Sequence, residues 1–576
     1  MNSHIAKRVW ESKYRHIGDN GAERDIGETW SRVATAVAGA EADPAHWKAR
    51  FLDLLSGFRF LPGGRVLAGA GTGKQVTLFN CFVSGPLLDS VEGIFGSLKE
   101  TAVTMQQGGG IGLDFSALRP AGTPALRTGS VASGPLSFMK MWDTLCGTLL
   151  ATSTRRGAMM GTLRCDHPDI VRFIDAKRQE GTLENFNLSV LVTDAFLEAV
   201  DCDGEWPLVY PAGTGDTVAR MPASELWRKI VYAAHETAEP GLLFVDTINR
   251  DNNLYYCEKI SATNPCGEVP LPAYGACNLG SVNLTSLVSK PFSSRSSFDN
   301  EALRETVTIA VRFLDDVIDV SGFPLRKQAL QARKTRRIGI GITGLADALA
   351  MLGHHYDSEV AREFAANTME TIRNTAYASS IELAKEKGTF PRFEKNQYLD
   401  APFIRRLRSE LRDGIATNGI RNSHLLAIAP AGTISLLAGN VSSGIEPIYA
   451  IQAERAVRAS DLSVERLEVN DFAYDVWLAG HRRAASIPDI FAAADELPAT
   501  AHLEMQACLQ PYVDGAISKT INLPPEATTK DVARAFRFAH QAGIKGCTVY
   551  RPGARRGQVL RALADSHCCD ASREAD

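Results

Sequence analysis

The stretch Asn264–Leu284, NPCGEVPLPAYGACNLGSVNL, carries the densest set of reactive side chains in the sequence. The proline after Asn264 favours an extended backbone there, and the glycine after Cys266 leaves the thiol unobstructed. If the backbone is extended, the side chains of Asn264, Cys266 and Glu268 project from one face at intervals of about 7 Å. An amide, a thiol and a carboxylate side by side suit proton transfer and thiol chemistry on a hydroxyl-bearing substrate. Alone, the pattern also fits a loop with a buried cysteine and a helix-capping asparagine.

Two further cysteines are candidates for the same chemistry. Cys277 follows within the stretch, in ACNLG, and Cys81 lies far upstream, in FNCF. Their spacing forms no C-x2-C pair and no histidine completes a zinc site, so we predict no metal centre. Taken singly, both cysteines also fit packed core thiols.

Three glycine-rich stretches could bring the backbone close to phosphate groups. They are residues 106–112 (QQGGGIG), 155–161 (RRGAMMG) and 430–435 (PAGTIS). The second adds two arginines that can clamp an anion, and the third precedes an apolar run that could form a helix with its N-terminus towards an anion. None has the spacing of the common nucleotide-binding loops, and each alone also fits a plain turn.

The composition of the 576 residues, with 45% apolar and 22% charged residues, is that of a soluble globular protein. It excludes a disordered chain, and eleven cysteines are too few for a secreted disulfide scaffold. A net charge of −4 gives no overall basic field, so we predict neither a nucleic-acid polymer nor a membrane as partner. The N-terminal residues resemble no signal peptide and no apolar stretch could span a membrane, which predicts a cytoplasmic protein with reduced cysteines.

Hydrophobic periodicity predicts a small helical region over residues 1–58 and one large α/β domain over residues 59–555. Short apolar runs alternate there with glycine-rich loops and helical patterns, as in α/β units. Residues 556–576 are predicted to form a mobile tail. Helices are predicted over residues 222–250, 301–320, 358–387 and 529–542, and a strand over residues 547–550.

Several segments, taken together, resemble the catalytic chain of ribonucleotide reductases, specifically the adenosylcobalamin-dependent class. The resemblance runs from about Trp30 to Leu560. Its strongest segments are NPCGEVPLPAYGACNLGSVNL (264–284), QQGGGIGLDFSALRPAGT (106–123), ASGPLSFMKMWD (132–143), TRRGAMMGTLRCDHPDI (154–170) and NSHLLAIAPAGTISLLAGNVSSGIEP (422–447). So many segments in the same order are not explained by coincidence.

The resemblance implies a ten-stranded α/β barrel with a central finger loop, and an enzyme that reduces ribonucleotides to 2′-deoxyribonucleotides for DNA synthesis. Cys266, on the finger, matches the residue that forms a thiyl radical and takes the 3′ hydrogen atom of the ribose. Glu268 matches the base for the 3′-hydroxyl group, and Asn264 matches the amide that orients the hydroxyl groups. Cys81 and Cys277 match the dithiol that supplies two electrons and becomes a disulfide as the 2′-hydroxyl group leaves as water.

The resemblance also implies two nucleotide sites. At the substrate site, the phosphate-binding loop is matched by Pro430, Ala431, Gly432, Thr433, Ile434 and Ser435, with Asn80 and Gly110 near the substrate. An effector, a dNTP or ATP, is expected at the interface of a homodimer. Its expected contacts are Asp89 at the sugar, Arg119 and Arg127 near the phosphates, and Arg155 in the loop that reports the effector to the substrate base.

The radical source separates the classes of this family. The class I large subunit receives its radical from a separate protein through paired C-terminal tyrosines, whereas this chain has the single Tyr550 in the corresponding TVYR. We therefore expect adenosylcobalamin as cofactor and keep the class I large subunit as the alternative. Closer resemblance to the dimeric diphosphate reductases leads us to expect ribonucleoside diphosphates as substrates.

The C-terminal residues depart from the family pattern, in which two separated cysteines re-reduce the active-site disulfide. Cys568 and Cys569 are adjacent, and a disulfide between neighbours is strained. They could carry electrons from thioredoxin through a mixed disulfide, or have no function, and both options stay open. A nucleotide-sensing paralogue without catalysis is a further alternative, which the presence of all five active-site residues disfavours. A simple thiol oxidoreductase would leave the phosphate loops unexplained.

Overall fold

The computed structural model describes residues 3–19, 21–125, 129–150, 158–179, 181–213, 215–458, 464–481 and 486–554. Over these residues the chain forms a helical N-terminal region followed by α/β structure around a ten-stranded sheet. The tail predicted over residues 556–576 lies outside the described residues.

The N-terminal region contains the helices α1 (His4–Val9), α2 (Ile26–Ala38) and α3 (Pro44–Leu55). Aspartate side chains cap the second and the third of them. The carboxylate of Asp25 accepts a hydrogen bond from the N–H of Glu28 at the start of α2, and Asp43 accepts one from His46 at the start of α3. Such caps satisfy N–H groups that have no partner inside the helix.

Ten strands form the main sheet. In chain order they are β1 (Phe60–Pro62), β2 (Cys81–Val83), β3 (Gly110–Asp114), β4 (Met159–Arg164), β5 (Phe186–Val192), β6 (Gly241–Phe244), β7 (Ala276–Asn283), β8 (Ile338–Thr343), β9 (Thr520–Asn522) and β10 (Gly546–Tyr550). Their order across the sheet is β8-β7-β2-β3-β4-β5-β6-β10-β9, and β1 pairs with β7 beside this path. The strands from β2 to β6 are parallel, whereas β7 and β10 pair with them in the antiparallel sense.

Hydrogen bonds connect the two ends of this strand order. The N–H of Ile340 in β8 donates to the carbonyl oxygen of Leu425 at 2.8 Å. Leu425 belongs to the segment of residues 425–428. On the other side of this segment, the N–H of Ser518, just before β9, donates to the carbonyl oxygen of Ile428 at 2.9 Å. Residues 425–428 therefore act as the strand that closes the sheet into the barrel that the resemblance implied.

Further helices lie in the connections between the strands. They are α4 (Gly64–Gly69), α5 (Val91–Gln106), α6 (Pro135–Leu150), α7 (Ile170–Ile174), α8 (Asp194–Asp201), α9 (Ala223–Thr237), α10 (Val245–Arg250), α11 (Asn300–Val320), α12 (Arg326–Thr335), α13 (Leu345–Leu352), α14 (Glu359–Lys387), α15 (Lys395–Asp400), α16 (Pro402–Arg405), α17 (Ser409–Asn418), α18 (Gly432–Leu437), α19 (Phe472–Gly480), α20 (Ala499–Leu509) and α21 (Thr529–Gln541). Single helical turns lie at Trp10–Tyr14, Ser56–Phe58, Ala176–Arg178, Leu284–Leu287 and Gln510–Tyr512. No helix among the described residues is both long and apolar enough to cross a membrane.

Short antiparallel strand pairs lie apart from the ten-stranded sheet. They join Ile17–Gly18 to Gly21–Ala22, Pro124–Ala125 to Ser130–Val131, Glu205–Tyr210 to Asp216–Pro222, Ala262–Thr263 to Pro270–Leu271, Val288–Ser289 to Ser297–Phe298, and Gln452–Arg458 to Val464–Asn470. The pair formed by Ala262–Thr263 and Pro270–Leu271 belongs to a small apolar cluster with residues of β2 and β7, separate from the main hydrophobic core. This second cluster carries the candidate site.

Most predicted elements are confirmed and one is wrong. Helices α11, α14 and α21 and strand β10 confirm the predictions for residues 301–320, 358–387, 529–542 and 547–550. The predicted helix over 222–250 is interrupted, because α9 ends at Thr237 and Gly241–Phe244 forms strand β6. This run is buried and paired with β5 on one side and β10 on the other, and these contacts override the helical periodicity.

Candidate active site

The finger is the hairpin of Ala262–Thr263 and Pro270–Leu271, and Asn264, Cys266 and Glu268 lie at its tip. The backbone N–H of Gly267 donates to the carbonyl oxygen of Asn264 at 3.1 Å, which closes a tight turn. Gly267 has a φ of +84°, a conformation that residues with a Cβ rarely adopt. The extended backbone considered from the sequence is therefore wrong: the tip turns at its glycine, where alternation of side chains no longer applies.

Backbone contacts seat the finger inside the barrel. A Cβ on Gly112 of β3 would lie 1.8 Å from the carbonyl oxygen of Thr263, so only glycine allows this approach. The hydroxyl group of Thr162 in β4 donates to the carbonyl oxygen of Ser261 at 3.2 Å, at the base of the finger. Across the barrel, the carbonyl oxygen of Glu268 accepts a hydrogen bond of 2.8 Å from the N–H of Ala516.

The buried side chain of Asn264 joins the finger to the dithiol. Its Nδ2 donates to Sγ of Cys81 at 3.2 Å. Its Oδ1 accepts hydrogen bonds from the hydroxyl group of Thr263 at 3.2 Å and from the N–H of Val269 at 2.9 Å. These bonds fix the amide orientation, so that its donor end faces the cysteine.

Cys81 and Cys277 are direct partners in the antiparallel pairing of β2 and β7. Both thiols are buried, and burial raises the pKa of each well above its usual value. A Cβ on Gly339 in the neighbouring strand β8 would lie 3.3 Å from Sγ of Cys277, so this glycine leaves space beside the sulfur. The structure therefore brings together the two cysteines that the sequence separates by almost two hundred positions.

The carboxyl group of Glu268 completes this cluster. Its Oε1 lies 3.9 Å from Sγ of Cys81, and its buried Oε2 has no hydrogen-bond partner among the described residues. Burial raises the pKa of Glu268 to about 7, against a smaller lowering by the Asn264 amide. A carboxyl group with this pKa can both take and return a proton near neutral pH.

A cavity opens beside the finger tip and unites the two predicted parts of the site. Cys266 and Glu268 line it together with Asn80, Pro430 and Ala431. Cys266 is partly exposed there, whereas Cys81 and Cys277 lie buried behind it. The remaining lining residues are Gly63, Gly64, Leu279, Gly280, Ser281, Ala429 and Ile434.

Ser281 is a cavity residue that the sequence reasoning missed. Side chains along a strand alternate between its two faces, so Cys277, Leu279 and Ser281 of β7 share one face. This period of two was available in the sequence and pointed to Ser281 once Cys277 was assigned to a strand.

The residues of the predicted phosphate loop differ in backbone conformation and in hydrogen bonding. Ala431 adopts a φ of +56° at the entry to α18. The hydroxyl group of Thr433 is buried and has no hydrogen-bond partner among the described residues. The hydroxyl group of Ser435, in contrast, is hydrogen-bonded to that of Thr343 at 2.8 Å. Gly110 lies in β3 next to Cys81, and its N–H donates to the carbonyl oxygen of Asn80 at 2.9 Å.

Family models match nearly the whole chain. The ribonucleotide reductase all-alpha domain matches residues 1–75, and the ribonucleotide reductase barrel domain matches residues 79–550. The chain belongs to the ribonucleotide reductase family.

Curated members of the ribonucleotide reductase family align along most of the chain. A relative from Mycobacterium tuberculosis (strain CDC 1551 / Oshkosh), named vitamin B12-dependent ribonucleoside-diphosphate reductase, is 43% identical over 93% of this chain and 77% of its own length. A relative of the same name from Thermoplasma acidophilum is 41% identical over 90% of this chain and 66% of its own length.

The effector residues expected of a ribonucleotide reductase are partly described. Arg119 donates from Nε to Oδ2 of Asp89 at 2.7 Å, and the hydroxyl group of Tyr210 donates to the same oxygen at 2.9 Å. Tyr210 was missed by the sequence reasoning, because it arrives from a distant strand pair. Arg127 and Arg155 lie outside the described residues, as do Cys568 and Cys569.

Three carboxylates of α11, those of Asp315, Asp316 and Asp319, lie close enough together to suggest a cation site. Arg336 contacts Asp315 at 2.8 Å and Asp319 at 2.8 Å, and Lys387 contacts Asp316 at 2.5 Å. Arg421 also contacts Asp315, at 3.1 Å, so three cationic side chains face the three carboxylates. We therefore assign the cluster to an ion-pair network of this reductase and not to a metal centre.

Proposed function

We propose that the chain reduces ribonucleoside diphosphates to 2′-deoxyribonucleoside diphosphates by thiyl-radical chemistry. The observation that carries this proposal is the shared cavity: Cys266 and Glu268 line it together with Pro430 and Ala431 of the predicted phosphate loop. The buried pair of Cys81 and Cys277 lies directly behind. The names of the relatives from Mycobacterium tuberculosis and Thermoplasma acidophilum support the choice of diphosphate substrates.

Each active-site residue has a step that its position supports. Cys266, as a thiyl radical, takes the 3′ hydrogen atom, and Glu268 accepts the proton of the 3′-hydroxyl group. Cys81 and Cys277 together give two electrons and two protons, so that the 2′-hydroxyl group leaves as water and a disulfide forms. The 3′ hydrogen atom then returns from Cys266 to the ribose. The net change is ribonucleotide and dithiol to deoxyribonucleotide, disulfide and water.

The phosphates of the substrate would bind where Pro430 and Ala431 line the cavity. The backbone at the turn of Ala431 suits oxygen-rich anions, and so does the buried hydroxyl group of Thr433, which has no hydrogen-bond partner among the described residues. No overall basic charge is needed for such a site, because its donors are local.

Adenosylcobalamin fits the radical step better than a separate radical protein. Bound cobalamin would supply, through its adenosyl group, the organic radical that removes the hydrogen atom from a thiol. Cys266 is the thiol of the three that is partly exposed in the cavity and open to such an attack. Tyr550 ends β10 with Val549 before it, so the tyrosine pair of the class I relay is missing from the sequence.

The decisive experiment incubates the purified chain with a ribonucleoside diphosphate, adenosylcobalamin and dithiothreitol, with no added metal-radical protein. We expect deoxyribonucleoside diphosphate, and none when cobalamin is omitted. Cys266→Ser should abolish the product while nucleotide binding persists. Nucleotide binding without any product in the parent chain would overturn the cobalamin-dependent assignment and favour the alternatives, the class I large subunit or the nucleotide-sensing paralogue.

We further propose a cytoplasmic, thioredoxin-linked homodimer that binds dNTP or ATP effectors near Asp89, Arg119 and Arg127. Replacement of Cys568 and Cys569 by serine should slow turnover with thioredoxin but not with dithiothreitol. Equal rates with both reductants would show that these two cysteines are idle. Sedimentation with and without a dNTP tests the dimer.

A further inference from the structure

We propose that Asn187 is a positioning residue for Cys266. The side-chain Nδ2 of Asn187 donates a hydrogen bond of 2.9 Å to the carbonyl oxygen of Pro265. This oxygen belongs to the peptide bond that joins Pro265 to Cys266. The orientation of that peptide bond sets the direction in which the Cys266 side chain projects from the finger. The inference rests on the proposed function, in which the Cys266 sulfur must meet one ribose hydrogen atom.

Asn187 projects from a rigid part of the barrel. It lies in β5, which pairs along its length with β4 and over four residues with β6. Its neighbours Phe186 and Leu188 point to the outer hydrophobic core, so the alternation along the strand directs Asn187 to the inner face. A short side chain on a central strand holds its amide within a narrow range of positions.

The finger tip needs such a support next to Cys266. Gly267, on one side of Cys266, has wide backbone freedom, and Pro265, on the other side, has no N–H with which to hold the turn. Other hydrogen bonds between the barrel and the finger involve Ser261 at its base, Asn264 at the start of the tip and Glu268 on its far side. The amide of Asn187 acts between Asn264 and Glu268, at the peptide bond that precedes Cys266.

Asn187 is expected to act through the distance between the Cys266 sulfur and the ribose hydrogen atom. Displacement of a reacting group by about 1 Å can reduce a rate roughly 100-fold, although the substrate still binds. Loss of the Asn187 amide frees the peptide before Cys266, while Asn80 and Pro430, which also line the cavity, stay in place.

The test compares Asn187→Ala and Asn187→Asp with the control Ser189→Ala. The aspartate variant keeps the shape of the side chain but cannot donate when ionised, and Ser189 is the next inward residue of β5. For both Asn187 variants we expect kcat with adenosylcobalamin and dithiothreitol to fall 10- to 100-fold, with KM within twofold of the parent. The control should keep both values within twofold.

A second readout needs no turnover. The rate at which iodoacetamide alkylates Cys266, followed by peptide mass spectrometry, should change at least threefold in the Asn187 variants, while the exposed Cys202 reacts as in the parent. An unchanged kcat, an unchanged Cys266 rate, or a parallel change at Cys202 with a lowered Tm would overturn the proposal. If Asn187→Ala does not fold, Asn187→Asp alone decides. A parent chain without product would refute the proposed function, whereas the alkylation rates would still report on Asn187.

Discussion

Cys81 and Cys277 face each other across the antiparallel strands β2 and β7, although 196 positions separate them in the sequence. Directly opposed residues in such a pair have Cα atoms about 4.5–5.5 Å apart, within the range of about 4.4–6.8 Å that a disulfide spans. The two thiols can therefore join without movement of the strands. The sheet itself sets the geometry of the dithiol.

From this geometry we expect turnover without added reductant to yield one Cys81–Cys277 disulfide for each deoxynucleotide. Peptide mapping under non-reducing conditions checks the linkage and its amount. Cys277→Ser should stop repeated turnover, and Cys202→Ser, at an exposed thiol, should leave it unchanged. A disulfide that involves any other described cysteine would contradict the assignment.

The activity should depend on the protonation of Glu268. Its pKa is raised to about 7 by burial, and the carboxylate is the form that accepts a proton. We expect kcat to fall about tenfold for each pH unit below 7, and Glu268→Gln to lower it by a factor of about 10²–10⁴. A pH profile of kcat under saturating substrate measures both, and a flat profile from pH 5 to pH 8 would contradict the role of this group.

The same pKa predicts how stability changes with pH. The folded-state pKa of Glu268 lies above the unfolded value of about 4.3, so the folded chain keeps a proton that the unfolded chain releases. The stabilisation is complete below the unfolded pKa and is lost as the pH rises through the folded pKa of about 7. The Tm of Glu268→Gln minus that of the parent should therefore increase between pH 5 and pH 8, and a constant difference would contradict the raised pKa.

Gly112→Ala should displace the finger. The added methyl group would lie 1.8 Å from the carbonyl oxygen of Thr263, and we expect a loss of about 1–3 kcal/mol in stability together with at least a tenfold fall in kcat. Gly96→Ala is the matched control, because its Cβ meets nothing within 4 Å. Thermal unfolding and initial rates check both variants, and equal kcat values for the two would show that the finger tolerates the shift.

Thr433→Val should weaken substrate binding without lowering the stability of the fold. The buried hydroxyl group of Thr433 has no partner among the described residues, and an unpaired buried hydroxyl group costs about 1–3 kcal/mol. We therefore expect an equal or higher Tm and a KM for the nucleoside diphosphate about tenfold higher, since each lost hydrogen bond to a charged group is worth about 1.5–3 kcal/mol.

Ser435→Ala, in the same loop, should lower the stability of the fold and affect substrate binding less. It removes the 2.8 Å hydrogen bond between Ser435 and Thr343, so the Tm should fall while the KM changes less than in Thr433→Val. The same KM for both variants would show that the hydroxyl group of Thr433 does not contact the phosphates.

Much of the site could be predicted from residue types alone. The amide, thiol and carboxylate of Asn264, Cys266 and Glu268 stand within five residues, so their proximity is visible locally, whereas their predicted roles come from the resemblance to the family. The helices α11 and α14 follow directly from hydrophobic periodicity. The short strand β6 did not, because its conformation comes from pairing with β5 and β10.

Local sequence and distant contacts contributed different things to this protein. Residue types and their order identified the family and, through the resemblance, predicted the roles of the finger residues and the phosphate loop. The turn at Gly267, the opposed sulfurs of Cys81 and Cys277, the closing strand at residues 425–428 and the hydrogen bond from Asn187 to the finger became visible only in three dimensions. Each of these features joins groups that are far apart along the chain, or depends on the position in which the barrel holds the finger. No local sequence pattern encodes the distance between such groups.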